Sequence, residues 1–114
     1  MTDASKLINQ RCEACRVGAP RVTDEQLPGF QAEVPQWSLE ERDGVRQLER
    51  LFKFPDYAAA LAFTQRVGEL AEAEDHHPAM LVEWGRVTVT WWTHAINGLH
   101  QNDFICAAKT DQLV

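Results

Sequence analysis

Between Pro55 and Pro78 lies the longest run of helix-forming residues in the sequence, and that run constrains what the rest of the chain can build. Asp56 is placed to cap it by accepting a hydrogen bond from a first-turn N–H. Tyr57, Ala60, Leu61, Thr64, Val67 and Ala71 recur at helical spacing and predict an apolar stripe. Ala, Leu and Glu dominate the run, and these residues enter a helix at little cost. The helix is expected to stop before His76-His77-Pro78, because proline disfavours helix in the residue that precedes it.

The flanking segments have a different period. Val45 to Phe54 reads as a strand with Leu48, Phe52 and Phe54 on one face, although Arg50 shares their parity. Gln36 to Leu39, around Trp37, reads as a short strand before it. Met80 to Trp84 and Arg86 to Thr93 form the arms of a hairpin, with a primed turn expected at Gly85-Arg86. In its second arm Val87, Val89 and Trp91 point one way, and Thr88, Thr90, Trp92 and His94 the other. A final helix is expected from Asn102 to Leu113. Thr23-Asp24-Glu25-Gln26 predicts a capping box for a short first helix that Pro28-Gly29 ends. The order is β-β-α-β-β-α after a short N-terminal helix. It predicts an α+β, two-layer fold in which a four-stranded antiparallel sheet carries its helices on one face.

A chain of 114 residues with 45% hydrophobic and 25% charged residues holds one domain with a small core. Residues 1–22 read as a loosely attached N-terminal arm, and residues 23–114 as the domain. The formal charge of -6, with no basic cluster, argues against a nucleic-acid or anionic-membrane surface. No apolar run is long enough to span a bilayer and Met1 to Gln10 has no signal-peptide core, so a cytoplasmic location is expected. Cys12, Cys15 and Cys106 are then most simply reduced thiols. Cys12-Glu13-Ala14-Cys15 is only half a zinc site and lacks the strand and helix of a redox motif. Its simplest reading is a surface pair without essential chemistry.

The chemistry of the chain concentrates in its histidines. His76 and His77 lie where the long helix hands over to a strand, and His94 ends the last strand. A strand of eight residues is about 26 Å long, so both places can share one end of the sheet. Glu72 on the last helical turn and Asp103 at the start of the final helix can set tautomer and charge. Alone, His-His-Pro is more often a polar helix end than a catalytic site. A three-histidine zinc site is a sharper rival, but neighbouring histidines usually diverge and no HExxH or HxH spacing is present. His100 reads as a solvated loop residue. Trp84, Trp91 and Trp92 are each read first as core, with pocket wall as the second reading.

Glu72-x3-His76-His77-Pro78-x5-Trp84-x9-His94-x8-Asp103 resembles the signature of the pterin-4a-carbinolamine dehydratases, and the spacing holds across 32 residues. Trp37-Ser38-Leu39, Arg42-Asp43, Phe52-Lys53-Phe54, Phe63-Thr64-Gln65-Arg66-Val67, Thr93-His94 and Gly98-Leu99 extend the likeness to about residues 23–114. The resemblance implies the same four-stranded fold. It also implies removal of water from a 4a-hydroxytetrahydropterin to give the quinonoid dihydropterin, recycling the cofactor of aromatic amino-acid hydroxylases. No metal or organic cofactor is implied. His77 and His94 are the implied acid–base pair, with His76 binding and orienting the pterin and sharing in proton transfer. Which imidazole performs which step stays open. Glu72 and Asp103 would orient these rings, and Asp75, Trp84, Trp92, Thr93 and Ala95 would line the pterin site with the three histidines.

Two departures stand out. Trp92 replaces a small serine of the animal enzymes, and His100 replaces the serine that caps their last helix, which predicts a weaker cap. The implied partners are the pterin, an aromatic amino-acid hydroxylase as functional partner, and further copies of the chain in a homodimer or a dimer of dimers. Animal members also serve as dimerisation cofactors of a homeodomain transcription factor, so a binding or regulatory module is the alternative. The complete set of Glu72, His76, His77, His94 and Asp103 favours the enzyme.

Overall fold

The computed structural model describes residues 6–13 and 18–114; Cys15 of the CxxC lies outside them. The elements are α1 (Leu27–Glu33), β1 (Ser38–Arg42), β2 (Val45–Lys53), α2 (Tyr57–Glu74), β3 (Ala79–Glu83), β4 (Arg86–Trp91) and α3 (Gln101–Asp111). The strands form one antiparallel sheet in the order β1-β2-β4-β3, the expected α+β arrangement. No helix among the described residues is long and apolar enough to cross a membrane.

Strand parity decides which face the helices cover. Leu48 and Phe52 on β2 and Val87, Val89 and Trp91 on β4 are buried, whereas Leu51 and Leu81 on the other face are 44% and 59% exposed. Arg50, which has core parity, is accommodated at the rim. Its guanidinium lies 4.3 Å above the Phe52 ring and pairs with Asp111, which also accepts Trp37 Nε1–H at 2.8 Å.

The side chain of Asp56 accepts the Ala59 N–H at 2.8 Å, as expected of the α2 cap. The stripe of α2 is displaced from the expected one. Ala60, Phe63, Val67 and Ala71 are buried, but Tyr57 and Leu61 are half exposed. Phe63 sets the line because its ring meets Phe52 at 4.6 Å and Phe54 at 5.0 Å. Tyr57 and Leu61 lie four residues apart on the adjoining ridge, which has no facing element among the described residues.

The two hairpin turns differ from each other, and the second differs from expectation. Between β1 and β2, Asp43 (φ 53°) and Gly44 (φ 77°) form a two-residue turn with both residues left-handed, the I′ geometry that matches strand twist. A Cβ at Gly44 would meet nothing within 4 Å, so Gly44→Ala should cost only backbone strain, about 1 kcal/mol. A lower urea midpoint with an unchanged slope would show it. Between β3 and β4, Glu83 pairs with Arg86, so the turn is Trp84-Gly85, one residue earlier than expected. It is not a primed turn, since neither residue has a left-handed φ. Glycine serves there by close approach: an added Cβ would lie 3.1 Å from the Phe54 carbonyl oxygen.

Two expectations about the N-terminal region are corrected. Thr23 and Gln26 do exchange backbone-to-side-chain hydrogen bonds, but the turn leads into α1 instead of a helix stopped by Pro28-Gly29. Pro28 sits in the first turn, where its missing N–H has no helical partner to lose. The described part of the arm is also packed, not loose. Leu7 is fully buried and its N–H donates to Glu33, while Glu13 exchanges two hydrogen bonds with Asn102 on α3.

Candidate active site

The end of α2 determines where the adjacent histidines go. Asp75 adopts a left-handed conformation (φ 51°, ψ 43°), which aspartate tolerates better than most residues. The Asp75 N–H donates to the Glu72 carbonyl and the His76 N–H to the Ala71 carbonyl, at 3.3 and 3.1 Å. These two bonds make a Schellman cap, whose next residue folds back against the helix. His76 is therefore turned into the protein, where it is 4% exposed, and His77 is left outside with its side chain 56% exposed. Proline follows the cap and does not create it.

His76 meets two rigid partners. Its Nε2 lies 2.6 Å from Asp103 Oδ1, and its ring stacks on Trp91 with 5.6 Å between centroids. The Asp103 carboxylate is fully buried and accepts two more hydrogen bonds, from Thr93 Oγ1 at 2.8 Å and the His100 N–H at 2.9 Å. A carboxylate that only accepts makes His76 Nε2 the donor, which places the lone pair of the neutral ring on Nδ1. His77 Nε2 contacts Glu72 Oε1 at 2.7 Å. The helix-end geometry thus gives Glu72 to His77 and Asp103 to His76.

His94 opens a 3₁₀ turn, His94–Ile96, just beyond β4. Asn97 is left-handed and lets Thr93 and Gly98 bridge, and Arg21 Nε donates to the Ile96 carbonyl at 3.0 Å. The exposed His94 ring stacks on Trp92, centroids 4.5 Å apart. Asp75, His76, His77, His94 and Ala95 line one open cleft of about 350 Å³, within the size range of small-molecule sites.

Not every expected residue is there. Trp84 lies at the hairpin turn, the other end of β3 from His77, and is 71% exposed. One chain does not bring it to the histidines, because five strand residues separate the two ends. The side chain of Thr93 is buried and given to Asp103, so it supports the site from behind instead of lining the cleft. Trp92 flanks the cleft through His94. Among the described residues no group of three or more His, Cys, Asp or Glu is arranged to hold a metal ion.

His100 overturns two expectations. It is 5% exposed, not solvated. It also caps α3 well: Nδ1 accepts the Asn102 N–H at 3.0 Å while Asp103 accepts the His100 N–H, a complete capping box. The spacing His100-x-x-Asp103 carried that signal, but imidazole is an unusual acceptor at a cap. His100→Ala should destabilise the protein by about 1 kcal/mol, measurable by thermal or urea unfolding.

Residues 20–113 match the model of a family described as pterin 4 alpha carbinolamine dehydratase. A crystal structure described as a transcriptional coactivator/pterin dehydratase from Brucella melitensis is 31% identical, with a TM-score of 0.73, over 82% of this chain and 98% of that one. A pterin dehydratase-like protein described as a RuBisCO assembly factor in the alpha-carboxysome shares the fold. It is 24% identical, with a TM-score of 0.59, over 68% of this chain and 88% of that one.

Proposed function

The chain belongs to the pterin 4 alpha carbinolamine dehydratase family, and on that premise we propose that it removes water from a 4a-hydroxytetrahydropterin by histidine acid–base catalysis. The observation that carries this reading is the convergence of His76, His77 and His94 on one cleft, with His76 anchored to the buried Asp103. Dehydration needs a proton delivered to the departing 4a-oxygen and a proton taken from N5 of the ring. His77 and His94 have exposed imidazoles that border the cleft, and imidazole is the side chain most often used to give and take protons in such a step. His76 is held too firmly to swing, which suits binding and orienting the ring.

Glu72 contacts His77 and steadies the imidazolium that forms when that ring takes a proton. Asp75 and Ala95 border the cleft and would contact the pterin. The step draws on proton transfer and uses no redox chemistry. Its product, a quinonoid dihydropterin, is what a reductase would return to the tetrahydropterin used by an aromatic amino-acid hydroxylase.

The test is a dehydration assay on freshly generated 4a-hydroxytetrahydropterin, followed against the uncatalysed reaction. A rate increment proportional to protein concentration is expected. No increment over the uncatalysed rate would sink the proposal. It would favour the second reading, a protein-binding role, which the description of the Brucella relative as a coactivator supports.

A further inference from the structure

The proposed dehydration leaves unused the cysteines, and two of them meet. Cys12 on the arm and Cys106 on α3 bring their Sγ atoms to 3.4 Å. Cys106 is fully buried and Cys12 half-buried, so only Cys12 is reachable from solvent. The arm is held at this point from both sides: the Cys12 N–H donates to Glu74 at the end of α2, and the Glu13 N–H to Asn102 on α3. We propose that Cys12 and Cys106 are a thiol–disulfide pair, and that oxidation by a peroxide staples the N-terminal arm to α3.

The geometry needs little change. A disulfide requires about 2.05 Å between sulfurs, so the 3.4 Å contact must close by about 1.4 Å. The order of events follows from access. The Cys12 sulfur attacks the peroxide O–O bond, forming an S–O bond and releasing water, which leaves a sulfenic acid. The Cys106 sulfur then attacks the Cys12 sulfur. The S–S bond forms, the S–O bond breaks, and the hydroxyl leaves as water with the Cys106 proton. The two sulfurs lose two electrons in total and the peroxide takes them up. The contact with Cys12, reinforced by burial, pushes the Cys106 thiol well above the usual thiol range, consistent with Cys12 reacting first. Cys106 follows Asp103 by three residues on α3, so the staple acts on the helical turn that anchors His76.

The test uses the full chain with Cys15→Ser, which leaves two of the three cysteines. After treatment with hydrogen peroxide and denaturation, both thiols should resist alkylation. The mass should fall by about two units, and a digest should yield a peptide joining Cys12 to Cys106. Dithiothreitol should restore both thiols. The loop closed by the bond spans most of the chain, so oxidation should raise the unfolding midpoint by about 10 °C. Thiols that stay alkylatable, a disulfide-linked dimer, or an unchanged midpoint would each overturn the proposal. In the unsubstituted protein a Cys12–Cys106 bond supports it. A Cys12–Cys15 bond that leaves Cys106 free overturns it.

Discussion

His77→Ala and His94→Ala should each lower dehydratase turnover by about 10²–10⁴-fold, the usual contribution of a positioned acid or base, with the protein still folded. The fold should survive because neither side chain supports it. The contact of His77 with Glu72 joins two side chains that are 56% and 80% exposed, and such pairs contribute about 0–1 kcal/mol. His94 stacks on Trp92 at the surface, an interaction worth about 0.5–1.5 kcal/mol. Both losses are small beside the total stability of a domain, about 5–15 kcal/mol.

The activity loss should fall mainly on kcat, because the protons move as the C–O bond breaks and not when the pterin binds. If the two rings serve the same step, the double variant should be little worse than the poorer single one. Unchanged turnover in either single variant, measured beside an unchanged unfolding midpoint, would remove that histidine from the proposed pair. Trp92→Ala offers an internal comparison. It removes the ring that orients His94 but keeps the imidazole, so its loss should be smaller than that of His94→Ala.

Much of the fold that frames this cleft is legible in the sequence, and the exceptions share a cause. The existence and span of α2, its Asp56 cap and the alternation of β4 are local properties, and each appears where the residues predict it, whereas the buried stripe of α2 is set by the packing of Phe63. The pairing of carboxylates with imidazoles was not local. It depends on one left-handed residue, Asp75, which turns His76 inward and leaves His77 outside. Counting four residues from Glu72 to His76 assumes the helix continues, and the cap breaks that assumption.

The distance of Trp84 from the histidines within one chain has a similar cause. A signature records spacing along the chain, whereas five strand residues carry Trp84 to the far end of the sheet. The burial of His100 is not legible in its local sequence, because burial is set by what packs around a residue. The arm covers α3 near it through Glu13 and Asn102, and nothing in the polarity of residues 1–13 announced that contact. Pro28-Gly29 carried opposite meanings at the start and at the stop of a helix. Only the position of the cap decides between them.

Asp103 is the residue whose loss should cost the fold most among those around the cleft, and two substitutions separate its structural part from its part in the chemistry. Asp103→Ala removes the acceptor for His76 Nε2, Thr93 Oγ1 and the His100 N–H, all of them on buried residues. Stranding buried donors costs about 1–3 kcal/mol each where no other partner is found, and Asp103→Ala strands up to three. A net destabilisation of about 3–5 kcal/mol is therefore expected, read from urea unfolding. Asp103→Asn keeps the shape but exchanges one acceptor for a donor. The Oδ2 position must remain an oxygen, since the His100 N–H has no alternative role. The new amide N–H₂ then faces His76 Nε2, which can accept only if the imidazole moves its proton to Nδ1. Asp103→Asn should accordingly fold with a smaller stability loss than Asp103→Ala, yet present His76 to the pterin in the opposite tautomer. A fall in turnover well beyond the fall in stability, with a displaced pH profile, would show that Asp103 sets the protonation geometry of the site. Full activity in that variant would reduce Asp103 to a structural support and leave the tautomer of His76 without consequence for dehydration.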